Sequence, residues 1–152
     1  MGKVNLVALL HALSGAAALV AAPCTQTGFL SWVGLVKPVG LAVFAGGMLL
    51  FLVSVAYLRR AFLGEVEPVT DRLVTEGPYR WVRHPLYLAM FVATLGLALA
   101  FRSLCALLIA LVVFMPTALW RAVLEDQALA RRFGQAWEDY AARTHAILPF
   151  VY

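Results

Sequence analysis

LYLAMFVATLGLALAFRSLCALLIALVVFMPTALWR, residues 86–121, holds two apolar runs parted by one polar break at Arg102-Ser103. Each run, 86–101 and 103–121, approaches the about 20 apolar residues a helix needs to cross the hydrocarbon of a bilayer, the first being the shorter. So brief a break leaves room only for a tight turn, and the two runs read as a helical hairpin. Outward from this pair lie two more apolar runs, 39–58 and 4–22. The expected fold is an all-α integral membrane protein of about four transmembrane helices. It forms a single domain over 1–152, with two N-terminal helices in 1–58 and a core in 59–152.

Composition agrees with the bilayer as solvent. Of 152 residues, 63% are hydrophobic and 13% charged, and the mean hydropathy is +0.87. Soluble domains carry about a quarter charged residues. The net charge of +4 does not indicate nucleic acid, because the basic residues sit at segment ends rather than in a stripe interleaved with aromatics. With the N-terminus inside, Lys3, Arg59, Arg60, Arg72, Arg80, Arg83, Arg121, Arg131, Arg132 and Arg143 fall on the cytosolic side, and only Lys37 and Arg102 fall outside. That bias follows the positive-inside rule and places both termini and the 59–85 loop in the cytosol. Lys3 and the "AAP" near residue 22 resemble a cleavable leader, but the run from Val4 to Ala22 has spanning length and is expected to be a helix. The apolar, aromatic Gly28–Lys37 stretch reads as an early start to the second helix or an interfacial piece.

Within the membrane frame, His11 reads as a neutral histidine bonded to a neighbouring helix. Gly46-Gly47 and Gly96 are expected to allow close helix packing. Pro116 should kink its helix. Cys24 and Cys105 are in no CxxC, and no Cys/His cluster has zinc-ligand spacing, so no metal site is expected; both fall toward the outer side, where two free buried thiols are expected and a disulfide is the alternative if that side is oxidising.

Two polar stretches, 59–85 and 122–152, share the expected cytosolic side. The first, with Gly64, Pro68, Gly77, Pro78 and Pro85, reads as mostly irregular. In the second, Leu129, Phe133, Trp137 and Tyr140 recur at helical spacing and predict a helix over about 118–142, its apolar face on the bilayer or closed over the loop. "ILPF" ends that pattern at Pro149 and returns apolar side chains toward the membrane. The densest chemistry is LVTEGPYRWVRHPLYLA, residues 73–89, with two Arg, a His, two Tyr and a Trp between Tyr79 and Tyr87. Interface aromatics and flanking arginines explain part of this, and Pro85 suits a first helical turn. Arg121 and Glu125, four apart, share a helix face, with Asp126 beside them.

"GPYRWVRHPLY", then "EDQALARRFGQAWEDY" about forty residues on, then "ILPF" together resemble the isoprenylcysteine carboxyl methyltransferase family, whose wider group includes the membrane phospholipid N-methyltransferases. The similarity covers about residues 70–150. It implies a cytosolic S-adenosylmethionine pocket between the loop before the third helix and the helix following the fourth. By motif, the cofactor contacts are Leu73, Val74, Tyr79, His84, Pro85, Leu86, Tyr87 and Glu125, and Arg121 is the arginine that positions the substrate. The family's Glu-Glu is Glu125-Asp126 here, and the family's glycine after the tyrosine motif is Ala89. The implied acceptor is lipid-like: the carboxylate of a prenylcysteine or the amine of a phospholipid. A carboxylate needs no general base, and an amine acceptor must lose a proton. The competing expectations are an NADPH reductase of the sterol type, a group similar around its own RHxxY-like segment but generally longer, and a non-catalytic membrane scaffold.

Overall fold

The computed structural model describes residues 2–25, 34–63 and 73–148, without the side chains of 2–5 and 59–63. The expectations for Gly64, Pro68, Arg72 and Pro149, for the side chains of Lys3, Arg59 and Arg60, and for most of the 28–37 stretch lie outside them. The described residues form helices α1 (Gly2–Cys24), α2 (Val36–Leu63), α3 (Pro85–Ala100), α4 (Leu104–Ile109), α5 (Met115–Phe133) and α6 (Gln135–Ala141). A 3-10 turn spans Gly77–Arg80, and a π turn over Ala110–Phe114 joins α4 to α5 in one rod. No strand occurs among these residues, only a single bridge between Val82 and His145.

Among the described residues, three helices are long and apolar enough to cross a membrane: Leu6–Cys24, Val36–Leu58 and the rod Leu104–Phe133. The fourth expected crossing, α3, has 16 residues, about 24 Å at 1.5 Å per residue, short of a hydrocarbon core of about 30 Å. Their outer faces are apolar and exposed, as Leu13, Leu49, Leu52 and Val112 show, which is the pattern of a protein solvated by lipid rather than water. The chain is an integral membrane protein.

The hairpin forms where the polar break predicts it. Arg102 takes a positive φ of 55°, and Ser103 caps α4 by accepting the Ala106 N–H at 3.1 Å. Thr25 at the end of α1 shares a 2.7 Å hydrogen bond with the Ser103 hydroxyl. Pro116 acts through the π turn: its ring nitrogen has no hydrogen for the Val112 carbonyl, and the turn just upstream widens to accommodate that loss. Cys24 and Cys105 are free, as expected, but exposed rather than buried.

α2 packs along α3 backbone to backbone. A Cβ on Gly47 would lie 2.5 Å from the Ala93 nitrogen, and one on Gly96 2.3 Å from the Phe44 nitrogen. Gly40 meets Ala100 in the same way, whereas Gly46 faces open space, so only one of the adjacent pair serves the seam. Ala89, in place of the family's glycine, is fully buried, and its carbonyl lies against Gly47. On the other side of α3, Phe91, Phe114, Met115, Ala118, Ala122 and Ile147 make the core that joins α3, α5 and the C-terminal segment.

Candidate functional site

The chain before α3 is shaped by its own residues. Gly77 has a φ of 60° and lies so close to Tyr57 that a Cβ would sit 2.6 Å from the ring, so glycine is required twice over. Pro78 then starts the 3-10 turn, which buries Tyr79. Tyr140 of α6 donates to the Tyr79 carbonyl at 2.7 Å. Arg83 N–H donates to the His145 carbonyl at 2.7 Å, His84 N–H to Ala146 at 3.0 Å, and His145 N–H to Trp81 at 3.1 Å. This backbone clasp seats Ile147 in the core, with Leu148 packed against it. His84 precedes a proline, is held out of the helical region, and so becomes the N-cap of α3.

α5 delivers the acids. The expected helix over 118–142 is interrupted: Gly134, at a φ of 51°, ends α5, and α6 restarts at Gln135. The break folds α6 back, so that Leu129, Phe133, Trp137 and Tyr140 close over the 73–83 segment instead of running straight on.

The ionic centre is compact. His84 Nε2 lies 2.7 Å from an Asp126 oxygen, and its Nδ1 lies 3.5 Å from Glu125. Tyr87 donates its phenol hydrogen to Glu125 Oε1 at 2.6 Å, and Arg121 Nε donates to the same oxygen at 2.8 Å. The His84 and Tyr87 rings stack 5.5 Å apart, and the Arg121 guanidinium stands 5.8 Å from the Tyr87 ring centre. Arg83 reaches Asp126 at 3.3 Å and donates to the carbonyls of Ala141, the last residue of α6, and Thr144 just beyond it, at 2.9 and 2.5 Å. Burial opposes a charge on His84, yet its hydrogen bonds to Asp126 and Glu125 and their charges prevail, so its pKa is raised above the ordinary value. Burial alone pushes the Tyr79 phenol up to about 12.

Two adjoining cavities open beside this centre. One, of about 390 Å³, is lined among others by Tyr79, His84, Pro85, Leu86, Tyr87, Arg121 and Glu125. The other, of about 350 Å³, is lined by Leu73, Val74, Trp137 and Phe133 and shares Leu58, Tyr79, Arg83 and Leu129 with the first. All nine residues singled out by motif therefore line one or both cavities. Arg83 and Asp126 were missed as site residues. Their signal is the arginine of the RHP motif itself and the second acid of the pair: successive helical residues point about 100° apart, so Glu125 and Asp126 grip His84 from two directions. A third cavity, of about 150 Å³, lies behind the Arg121–Glu125 pair and is lined also by Val7, Leu124, Gln127 and Arg131. No group of three or more His, Cys, Asp or Glu suited to a metal occurs among the described residues.

The fold is that of an all-helical integral membrane protein with two adjoining cavities beside the ionic centre. The family model for phospholipid methyltransferase matches residues 35–136, about two-thirds of the chain, and this protein belongs to that family. A nickel-cobalt-cadmium resistance protein of Alcaligenes xylosoxydans xylosoxydans is 43% identical over 82 residues, 53% of this chain and 37% of the relative. The protein-S-isoprenylcysteine O-methyltransferase of Mus musculus is 33% identical over 88 residues, 54% of this chain and 29% of the relative. That of Schizosaccharomyces pombe is 29% identical over 79 residues, 52% of this chain and 34% of the relative. The chain's matches thus span about a third of the length of these relatives.

Proposed function

We propose that this chain is a membrane methyltransferase that binds S-adenosylmethionine in the two adjoining cavities and methylates an amphiphilic acceptor at the cytosolic face. The observation that carries this reading is the convergence of all nine motif residues on those cavities, around one carboxylate. The residues suit the cofactor. Tyr79, Leu73 and Val74 offer an apolar, aromatic enclosure for an adenine. Glu125 has one oxygen taken by Tyr87 and Arg121, and its other oxygen, 3.5 Å from His84, is placed to accept from a ribose hydroxyl or an amino group.

S-adenosylmethionine supplies an electrophilic methyl group on a sulfonium, and its transfer is an in-line displacement that depends on orientation and exclusion of water. The chain provides both. Phe133 at the end of α5 and Trp137 of α6 cover the cavity, while the His84–Asp126–Arg83 ion pairs lock the acid-bearing helix to the RHP loop. Arg121 stands between the cofactor cavities and the smaller cavity on the α1 side. There its guanidinium, with Arg131 and Gln127 nearby, suits the carboxylate of a prenylcysteine or the phosphate of a phospholipid, and Val7 and Leu124 suit the start of a lipid chain.

Calorimetric titration of the purified protein in nanodiscs with S-adenosylmethionine, S-adenosylhomocysteine and NADPH tests this reading. Binding of the first two, lost in Glu125→Ala, is the expected result. Failure of both by folded protein overturns it, and binding of NADPH alone points to a reductase.

A further inference from the structure

α1 lies outside the residues matched by the family, yet besides Val7 in the small cavity it brings His11 against Tyr87 of the candidate site. His11 is 4% exposed. Its ring meets the Tyr87 ring edge-on, with centroids 5.1 Å apart at 74°, and lies 4.6 Å from the Phe114 ring. Tyr87 is thus held between His84, Arg121 and His11, and it is the residue that donates to Glu125.

Hydrogen-bond accounting also assigns the tautomer of His11. Thr117 has one hydroxyl hydrogen, and its shortest contacts are the carbonyls of Phe114 and Val113, at 2.8 and 2.9 Å, which only accept. Ser14 commits its hydrogen to the His11 carbonyl at 2.8 Å. The Thr117 oxygen is left to accept, so the 3.4 Å contact to His11 Nδ1 is a weak hydrogen bond donated by the imidazole. Nε2 then carries the lone pair, buried and with no hydrogen-bond partner among the described residues.

We infer that His11 is a positioning residue of the site: α1 uses it to orient the Tyr87 ring, and through the Tyr87 phenol it sets the Glu125 carboxylate. Thr117 keeps the imidazole at the right rotation, and the ring edge sets where the phenol points. The kinetic consequence rests on the methyltransferase reading, while the structural consequence does not.

Nuclear magnetic resonance of protein labelled with ¹³Cζ-tyrosine and ¹⁵N-histidine, in nanodiscs, separates the two. The Tyr87 signal is assigned with Tyr87→Phe. Expected is a shift of that signal in His11→Leu in the same direction as in Glu125→Gln, with a smaller shift in His11→Phe, which retains a ring. The wild-type ¹⁵N spectrum should show His11 protonated on Nδ1, and Thr117→Val should mix the tautomers; this readout holds even if His11→Leu does not fold. With S-adenosylmethionine as titrant, His11→Leu should weaken binding threefold or more, and His11→Phe should stay within twofold of wild type. A Tyr87 signal unmoved by His11→Leu, or a wild-type His11 protonated on Nε2, overturns the inference. Wild-type protein that fails to bind S-adenosylmethionine while the spectra behave as expected overturns the proposed function instead.

Discussion

At its N-terminal end α3 meets α5 through ion pairs and hydrogen bonds, while along its length it meets α2 through backbone pressed on backbone. The first contact is built from His84, Tyr87, Arg121, Glu125 and Asp126, groups that exchange protons and recognise ligands. The second is built from Gly40, Gly47 and Gly96 against alanines and main chain, groups with nothing to offer a ligand. In lipid, burying apolar surface drives helix association poorly, so close van der Waals fit and interhelical hydrogen bonds take its place. This protein separates those two means along one helix: the seam holds α3 in place, and the polar end is free to carry chemistry.

Substitutions at the two ends should fail in different ways. Gly47→Leu should cost about 3 kcal/mol or more, because overpacking a site walled by backbone has no flexible neighbour to yield; denaturation in detergent measures it, and a loss under 1 kcal/mol would break the picture of the seam. Glu125→Ala should leave the fold intact but weaken S-adenosylmethionine binding about 10- to 100-fold, the scale of a lost hydrogen bond to a charged group. Arg83→Ala frees the Ala141 carbonyl at the end of α6 and the Thr144 carbonyl just beyond it and should cost about 2 kcal/mol, seen as earlier proteolysis after Tyr140.

Titration probes the polar end alone. The folded pKa of His84 is raised, so the stability its imidazolium contributes is full below about pH 6.5, the unfolded value, and is lost as pH rises through the folded value. Melting temperature should therefore fall over that window in wild type, and this component should vanish in His84→Gln. The smallest effect belongs to Arg102→Ala. Arg102 lies beyond the other end of α3, about 24 Å away at 1.5 Å per residue, and turnover should stay within about twofold because distant sites act independently.

Much of this was legible because it is written in short-range code. Apolar run length located the helices, and the polar pair at 102–103 located the hairpin. The grouping of the site residues followed from the RHP segment and the acidic pair with the family resemblance, and the structure brings the same nine side chains to adjoining cavities. What was not legible depends on pairing across the chain. Gly134 reads as a tolerable helix residue until α6 is seen folded back over Tyr79. Asp126 looks like a spare acid until His84 arrives from 42 positions earlier. The backbone clasp at 81–84 and 145–146 leaves no side-chain pattern at all, since only main-chain atoms make it. Whether Gly46 or Gly47 faces α3 depends on the rotation of α2, which periodicity in an all-apolar helix does not encode.

The π turn at Ala110–Phe114 sets the phase of everything after it. Its wider spacing inserts the equivalent of one residue, about 100° of rotation, between the apolar start of the rod and its ionic end. Remove one residue from that turn and the same α5 sequence would present a different face to α3, turning Arg121 and Glu125 away from Tyr87 with every side chain unchanged. Reading frame, in this stretch, matters more than spelling: a single-codon deletion here should disable the site more completely than most substitutions within it.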